Sequence, residues 1–182
     1  MFQVRCHGRG GFGVKTTAHV IGRTAYLSGY QTQDFALYGA ERRGAPLMSF
    51  ARYDKKTILE RGYIFEPDAV IVLNEELNFA VILKGLKKNG FVIINSNKPA
   101  DYFKKKYKIK QKIYCIDATE IALENLGKPI ANIAIIGAFI KLTKLPKKNL
   151  IQAIKDQMNH VNHPEAIGGN IKAAEECMKM IK

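Results

Sequence analysis

The chain has 182 residues, of which 47% are hydrophobic and 25% charged, and 29 Lys and Arg against 16 Asp and Glu give a formal net charge of +13. This composition excludes a disordered or collagen-like chain, and the length is typical of a single domain, here residues 1–182. No apolar run reaches the roughly 18 residues that cross a bilayer, and the N-terminus lacks the apolar stretch of a signal peptide. We therefore expect a cytoplasmic protein that does not enter a membrane.

Short apolar or alternating runs bounded by glycine, proline or polar residues predict the β-strands. They lie at Phe2–Cys6, Leu47–Tyr53, Ala69–Leu73, Phe91–Asn95 and Ile113–Ile116. Apolar residues at helical spacing predict helices at Val14–Ser28, Glu75–Lys88, Pro99–Lys106, Ala118–Leu126 and Ile130–Thr143. This alternation predicts an α/β fold in three layers, with a mostly parallel sheet and helices on both of its faces.

The last two predicted helices carry their own boundary signals. Asp117 and Glu120 form an approximate capping box, Gly127 is placed to end that helix, and Pro129 starts the next. Residues 130–140 are apolar on nearly every face yet too short to span a membrane. They form either the central helix of this domain or a helix that another subunit covers in part.

A glycine-rich turn, Gly8-Arg9-Gly10-Gly11-Phe12-Gly13, follows the first predicted strand and precedes the first predicted helix. Glycines let the backbone turn tightly and approach a ligand, and unpaired N–H groups at a helix start favour an anion. The candidate phosphate-binding residues are Gly8, Arg9, Gly10, Gly11, Gly13, Lys15 and Thr16. The alternative is that these glycines serve only the packing of helix against strand.

Two standard nucleotide motifs can be compared with this spacing. A P-loop needs lysine directly after its last glycine, but Val14 intervenes before Lys15, so the nucleotide-triphosphatase hypothesis is weak. A dinucleotide fold needs an acidic residue about 20 positions further on, and Asp34 lies near that place. A stand-alone NAD-binding enzyme therefore remains an alternative.

The second unusual segment, Tyr38–Pro46, holds Glu41, Arg42 and Arg43 between glycines and ends at a proline. Arginine can bind a phosphate or carboxylate through two parallel hydrogen bonds, which indicates a functional loop. A surface turn with an internal Glu41–arginine pair is the alternative.

Other polar segments carry weaker signals. The lysine-rich run 98–112 is better explained as a solvated helix and edge strand than as a nucleic-acid surface. His160 and His163 indicate a helix end, and we expect no metal site there. Cys6 and Cys115 fall in predicted strands and are expected to be buried and inert.

Four further candidates follow predicted strand ends, where ligands of open α/β sheets bind: Asn74, Glu75, Asn95 and Ser96.

The chain resembles the gamma subunits of the 2-oxoacid:ferredoxin oxidoreductases, most closely the pyruvate type. The resemblance covers most of the chain and rests on Gly8–Val14, Tyr38–Pro46 with the strand ending at Tyr53, Pro67–Leu73 and Asn132–Phe139. Phe12 departs from the pattern, since related chains usually carry glutamine there. The double arginine resembles the pyruvate branch more than the 2-oxoglutarate branch, and the branched-chain (2-oxoisovalerate) enzymes remain open.

The resemblance implies a Rossmann-like domain that helps to bind coenzyme A and to close an active site, with no catalytic residue of its own. It also implies alpha, beta and delta (ferredoxin-like) partner subunits, which would carry thiamin diphosphate, magnesium and the iron–sulfur clusters, and ferredoxin as electron acceptor. The expected contacts of this chain with coenzyme A, or with a partner subunit, are the glycine turn, Lys15 and Thr16, and the Glu41–Arg43 loop. By itself the chain is expected to be inactive.

Overall fold

The computed structural model describes residues 1–37 and 44–181 and is built around one six-stranded sheet. The strands are β1 (Phe2–Arg9), β2 (Gln31–Ala36), β3 (Pro46–Asp54), β4 (Ala69–Val72), β5 (Phe91–Asn95) and β6 (Lys112–Ile116). The α-helices are α1 (Val14–Leu27), α2 (Phe79–Ile82), α3 (Ala100–Tyr107), α4 (Ala118–Leu126), α5 (Ala131–Thr143), α6 (Lys147–His160) and α7 (Ile167–Lys179). A turn of 3-10 helix, Pro164–Ala166, connects α6 to α7.

The strand order is β2-β3-β1-β4-β5-β6. Strands β1, β4, β5 and β6 are parallel, whereas β3 runs antiparallel to both of its neighbours, β1 and β2. One strand therefore opposes the other five, and the predicted mostly parallel sheet is confirmed.

Helices cover both faces of the sheet, as predicted. One hydrophobic cluster joins the sheet to α1, α4, α5, α6 and α7, and a second joins β4, β5 and β6 to α2 and α3. Residues Ala131–Ile140 of α5 are all buried, and their neighbours are α1, α4, α6 and α7 of the same chain. The apolar segment is thus the central helix of this domain.

Four elements differ from the sequence predictions. The helix expected at 75–88 is the single turn α2, because the Asn74 and Asn78 side chains accept from Glu76 N (3.1 Å) and Ala80 N (3.0 Å) and form local turns instead. Strand β2 was missed because its sequence, Gln31–Ala36, is polar, and its pairing with β3 is what holds it in the sheet. Of the last two helices, only the end of α6 near His160 was predicted and α7 was not; both carry a buried stripe that packs on the central helix or on α1.

On the face opposite α1, two buried arginines hold the connections before and after β4. Arg5 donates to Ile82 O (2.6 Å) and Lys84 O (2.8 Å), and more weakly to Ile64 O and Phe65 O (3.4 Å each). Arg52 donates to Gly62 O. These partners are main-chain carbonyls, so Arg5 holds mainly the connection between α2 and β5, while Arg52 and the weaker bonds of Arg5 hold residues 62–65.

Within the part of the chain that the structure describes, no single helix is long and apolar enough to span a membrane. Helices α4 and α5 pass such a test only as a pair, and they are bent by 119° relative to one another.

Candidate functional site

The glycine turn begins later than the sequence predicted, because β1 continues through Gly8 and Arg9. Both residues pair with β3, Gly8 with Leu47 and Arg9 with Pro46. A Cβ on Gly8 would lie 2.6 Å from Val14 Cγ2, so this glycine serves the packing of α1 on the strand. Gly8 and Arg9 are thus strand residues next to the turn rather than part of it.

The turn itself comprises Gly10–Gly13 and is held at both ends by main-chain hydrogen bonds. Gly10 N donates to Ala45 O (2.9 Å), Gly44 N donates to Gly10 O (3.2 Å), and Phe12 N donates to Arg9 O (3.0 Å). Gly11 and Gly13 have φ angles of +96° and +70°, which only glycine adopts without strain. Among the described residues, nothing lies within 4 Å of the position that a Cβ on Gly11 would take.

The second predicted motif adjoins the first. Glu41, Arg42 and Arg43 lie outside the described residues, but Gly44, which follows Arg43 directly, is bonded to Gly10. Arg9 also donates from Nη1 to Gly44 O at 3.1 Å. The chain that follows the arginine segment is therefore fixed beside the glycine turn from Gly44 onward.

Helix α1 begins at this turn with an arrangement suited to an anion. Its N-cap is Gly13, so no side chain caps the first N–H groups, and its first turn contains no acidic residue. Lys15 is exposed and Thr16 is half-buried. Uncapped N–H groups and the helix dipole both favour a negatively charged ligand at such a helix start.

The four candidates that follow strand ends meet in one crevice of ≈ 240 Å³ at the carboxyl ends of β4, β5 and β6. Asn74, Glu75, Asn95 and Ser96 line it, together with Phe12 from the glycine turn. Parallel strands bring their carboxyl ends to one edge of a sheet, which is why the sequence could anticipate this grouping.

Most polar groups of the crevice already have partners. The Glu75 carboxylate contacts the Ser96 hydroxyl and the Lys98 ammonium, and Asn95 Nδ2 donates to Leu73 O (3.1 Å) and Thr119 Oγ1 (2.8 Å). Partial burial would raise the pKa of Glu75, but the hydrogen bonds from Lys98 and Ser96 and the nearby lysine charges outweigh it, so the pKa lies below its usual value. Glu75 is therefore an anion at neutral pH, and a ligand phosphate is better accommodated at the start of α1, on the rim of the crevice, than on its floor.

Asn132 is a residue of this region that the sequence placed only within the Asn132–Phe139 segment and not among the candidate site residues. It is 7% exposed, lies at the start of α5 and packs against Gly13. The available signal was an isolated amide in an otherwise apolar helix, which indicates a specific contact.

The geometry does not support the dinucleotide alternative. Asp34 pairs with Ala51 of β3, and Ala51 pairs with Val4 of β1, so Asp34 lies level with Val4 rather than with Arg9 at the strand end. Five residues of strand amount to about 17 Å, too far for a carboxylate that must reach a ribose at the sheet edge. Asp34 instead pairs with His19 of α1 at 3.1 Å.

The cysteines and histidines form no metal site within residues 1–37 and 44–181, where no group of three or more His, Cys, Asp or Glu side chains could hold an ion. Burial raises the pKa of Cys6 to about 12 and that of Cys115 to about 11. Cys6 is buried as predicted, whereas Cys115 is only half-buried. Helix α6 ends at His160 as predicted, and His163 pairs with Glu165 at 2.9 Å.

Fold and site together define an α/β protein whose first helix starts at an open glycine turn beside a strand-end crevice. Residues 3–180 match the family described as pyruvate ferredoxin/flavodoxin oxidoreductase. The common gamma subunit of the pyruvate/ketoisovalerate oxidoreductases of Pyrococcus abyssi is 42% identical, over 98% of this chain and 96% of its own length. The pyruvate synthase subunit PorC of Methanothermobacter marburgensis is 42% identical, over 100% and 98%.

Among solved structures, the pyruvate oxidoreductase subunit PORC of Thermotoga maritima superimposes with a TM-score of 0.85 at 30% identity, covering 100% of this chain and 97% of that one. The chain therefore belongs to the pyruvate ferredoxin/flavodoxin oxidoreductase family, as the gamma subunit of a 2-oxoacid:ferredoxin oxidoreductase.

Proposed function

We propose that this gamma subunit serves a pyruvate:ferredoxin oxidoreductase, or pyruvate synthase. The complex would convert pyruvate, coenzyme A and oxidised ferredoxin to acetyl-CoA, carbon dioxide and reduced ferredoxin. The PorC names of relatives that match the whole chain support pyruvate as the substrate. Relatives named as a common subunit of pyruvate and ketoisovalerate enzymes favour a second candidate, a gamma subunit shared with a 2-oxoisovalerate enzyme.

The share of this chain in the reaction is to bind the phosphates of coenzyme A and to help close the active site. The observation that carries this proposal is the start of α1, where an uncapped helix follows the open backbone of Gly11. Lys15 and Thr16 lie in the first turn of that helix, within reach of an anion placed there. The formal net charge of +13 lowers the cost of bringing in a ligand that carries several phosphate charges.

The arginine segment is assigned to the same region. Gly44, the first described residue after this segment, is bonded to Gly10 and to Arg9. Glu41, Arg42 and Arg43 would then contact either coenzyme A or the surface of a partner subunit. Arginine suits both roles, since its planar fork can bind a phosphate or a carboxylate with two hydrogen bonds.

The redox chemistry belongs to other chains in this proposal. Alpha, beta and delta (ferredoxin-like) subunits would carry thiamin diphosphate with magnesium and the iron–sulfur clusters, which transfer electrons to ferredoxin. The three cysteines of this chain are far apart in the sequence and are not grouped for a cluster within the described residues. The isolated chain is therefore expected to be inactive, and the assembled complex is expected in the cytoplasm.

The coenzyme A assignment is tested by steady-state kinetics of the assembled complex. Lys15→Ala should raise the KM for coenzyme A about tenfold and leave the KM for pyruvate unchanged, since a charged hydrogen bond to phosphate contributes about 1.5–3 kcal/mol and exposure reduces this. Lys155→Ala removes the same charge from exposed α6 and serves as the control. The KM of Arg42→Ala is measured for coenzyme A and for dephospho-coenzyme A. The difference between the two values distinguishes a phosphate contact of Arg42 from a contact with a partner subunit. An unchanged KM for coenzyme A in both Lys15→Ala and Arg42→Ala would remove the assignment.

The 2-oxoacid is identified by native mass spectrometry of the purified complex together with its kcat/KM for pyruvate and 2-oxoisovalerate. One set of partner subunits and a clear preference for pyruvate are expected for a pyruvate enzyme. Two sets of catalytic partners that share this chain would establish the common subunit instead. A partner-free native chain would contradict both.

A further inference from the structure

A second cavity has a different lining from the strand-end crevice. It has a volume of ≈ 380 Å³ and is bordered by the start of α1, the connection between α4 and α5, the end of α6 and the start of α7. This volume is within the range of small-molecule sites. Of its lining residues, only Thr16 belongs to the ligand-binding candidates predicted from the sequence.

Two buried amide side chains line this cavity and have hydrogen-bonding capacity left over. Gln157 of α6 is 8% exposed, and its side-chain amide has no hydrogen-bond partner among the described residues. Asn170 of α7 is 5% exposed; its Nδ2 donates to Ala166 O at 2.8 Å and to Met158 Sδ at 3.4 Å, while its Oδ1 accepts no hydrogen bond from a described residue. The unpaired amide atoms of the two side chains are not fully enclosed by protein, so a ligand or water in the cavity can reach them.

The remaining wall determines what kind of ligand fits. Ile133 and Met158 supply buried apolar surface, and Ile130 and Val161, 46% and 42% exposed, stand at the mouth. The charged residues are Lys128, His163 and Glu165, all exposed, and His163 and Glu165 pair with each other. No charged side chain lies buried in the wall, so a charged ligand would lose its hydration without gaining a buried counter-charge.

We propose that this cavity is a binding site for a small neutral molecule that carries an amide group on a short branched aliphatic body. Gln157 and Asn170 bind the polar group, since an amide both donates and accepts, and Ile133 and Met158 pack on the aliphatic part. The site uses α6 and α7, which the glycine turn does not, and it shares Thr16 and Asn132 with the region assigned to coenzyme A; its test therefore measures binding of the probes and not the KM for coenzyme A.

The test compares three probes of the same shape and different charge: isobutyramide, isobutyrate and isobutyramidinium. Each is titrated into the full-length chain while the backbone amide signals are followed by NMR. Isobutyramide should bind with a millimolar Kd and shift the signals of residues 130–133 and 157–170, and both charged probes should bind at least about tenfold more weakly.

Variants of Gln157 identify the group that recognises the amide. Gln157→Met retains the side-chain length and should weaken isobutyramide binding about fivefold, the effect of losing one neutral hydrogen bond. Gln157→Glu should make isobutyramidinium the preferred probe, because the new carboxylate can pair with the cation. Gln152→Met, on the exposed side of the same helix, should leave all affinities unchanged.

Several results would overturn the proposal. Equal binding of the three probes to the wild-type chain, an unchanged isobutyramide affinity in Gln157→Met, or signal shifts outside the cavity would each do so. Loss of isobutyramide binding on assembly with partner subunits would show that a partner fills the cavity, which also contradicts it. If the variants fail to fold, the charge series on the wild-type chain still decides.

Discussion

The side chain of Asn132 lies directly against Gly13: a Cβ on Gly13 would stand 2.1 Å from Asn132 Nδ2. The hydroxyl of Thr17, one turn into α1, is 3.1 Å from both Asn132 O and Gly13 O. The starts of α1 and α5 are therefore packed together with no space for a side chain at Gly13. Through this contact the central helix fixes the glycine turn that we assign to coenzyme A.

We expect Gly13→Ala to destabilise the fold by about 3 kcal/mol, from the positive φ and the overlap with Asn132. Gly11→Ala is the matched control, since Gly11 also has a positive φ but no neighbour within 4 Å. It should cost only the backbone strain, about 1–2 kcal/mol. Urea unfolding measures both, and equal losses would contradict the steric role of Asn132. Gly13→Ala/Asn132→Ala removes the two closest contacts, with Nδ2 and Cγ, and leaves Asn132 Cβ at 2.8 Å, so the coupling energy of the cycle should be favourable without full recovery of stability.

Gly137 makes a second close contact, between α5 and α7. A Cβ there would lie 1.8 Å from Ala174 O, so Gly137→Ala must separate the two helices and should cost about 3 kcal/mol or more. Gly168 of α7 has nothing within 4 Å and no positive φ. Gly168→Ala should therefore stabilise the helix by about 0.5 kcal/mol. Thermal unfolding of the two variants should shift in opposite directions, and a common direction would refute this difference.

Arg5 is expected to hold the connection between α2 and β5 in place. Arg5→Met removes the donor to Ile82 O and Lys84 O and leaves these carbonyls without that partner, which should cost about 3 kcal/mol. Trypsin should then cleave after Lys84 or Lys88 faster than in the wild-type chain. Arg61→Met, which removes an exposed arginine elsewhere on the surface, should change stability by less than about 0.5 kcal/mol. Unchanged cleavage in Arg5→Met would show that the connection is held by other contacts.

His7 should make stability depend on pH. Burial, and secondarily the charge of Arg5, lower its pKa to about 3, and its Nε2 has no partner among the described residues. Below pH 6.5 the unfolded chain binds a proton at His7, whereas the folded chain does not until the pH approaches 3. The stability contributed by the neutral His7 is therefore fully present above pH 6.5 and is lost as the pH falls towards 3. Between pH 6.5 and 4.5 the loss amounts to about 2 kcal/mol.

The measurement is the difference in free energy of unfolding between the wild-type chain and His7→Leu across that pH range. Carboxylates such as Glu75 and Asp156, whose pKa values are lowered, also lose stabilising interactions in acid, but they do so equally in both proteins. The wild-type chain should show the steeper decline, and His160→Gln, at an exposed position, should follow the wild type. Parallel curves for His7→Leu and the wild type would exclude a buried neutral His7.

Local sequence patterns were sufficient to predict an element where the periodicity of the segment itself decides its structure. The apolar alternation of Phe91–Asn95 and the Asp117–Gly127 boundary signals predicted β5 and α4 with their observed limits, and Asp117 does accept from Glu120 N. The glycine turn was located for the same reason, although its first two residues belong to β1. The strand-end rule also brought Asn74, Glu75, Asn95 and Ser96 together correctly.

Where long-range pairing decides, the sequence was misleading or silent. The polar strand β2 forms because β3 provides an edge with which it can hydrogen-bond. The helix expected at 75–88 is replaced by turns capped by Asn74 and Asn78 and by the close approach of Gly85 to Phe65 O. Spacing alone had suggested Asp34 as a ribose ligand. The register places it in mid-sheet, because β3 is inserted between β1 and β2.

The sequence by itself determined the α/β class, the central apolar helix, the glycine turn and the family, since these depend on composition, periodicity and short motifs. Only the tertiary structure decided that Asn132 holds Gly13, that Arg5 and Arg52 fix connections through main-chain carbonyls, and that Gln157 and Asn170 line one cavity. Those arrangements join residues from distant segments, and whether a polar side chain is buried, paired or left over depends on what the fold packs against it.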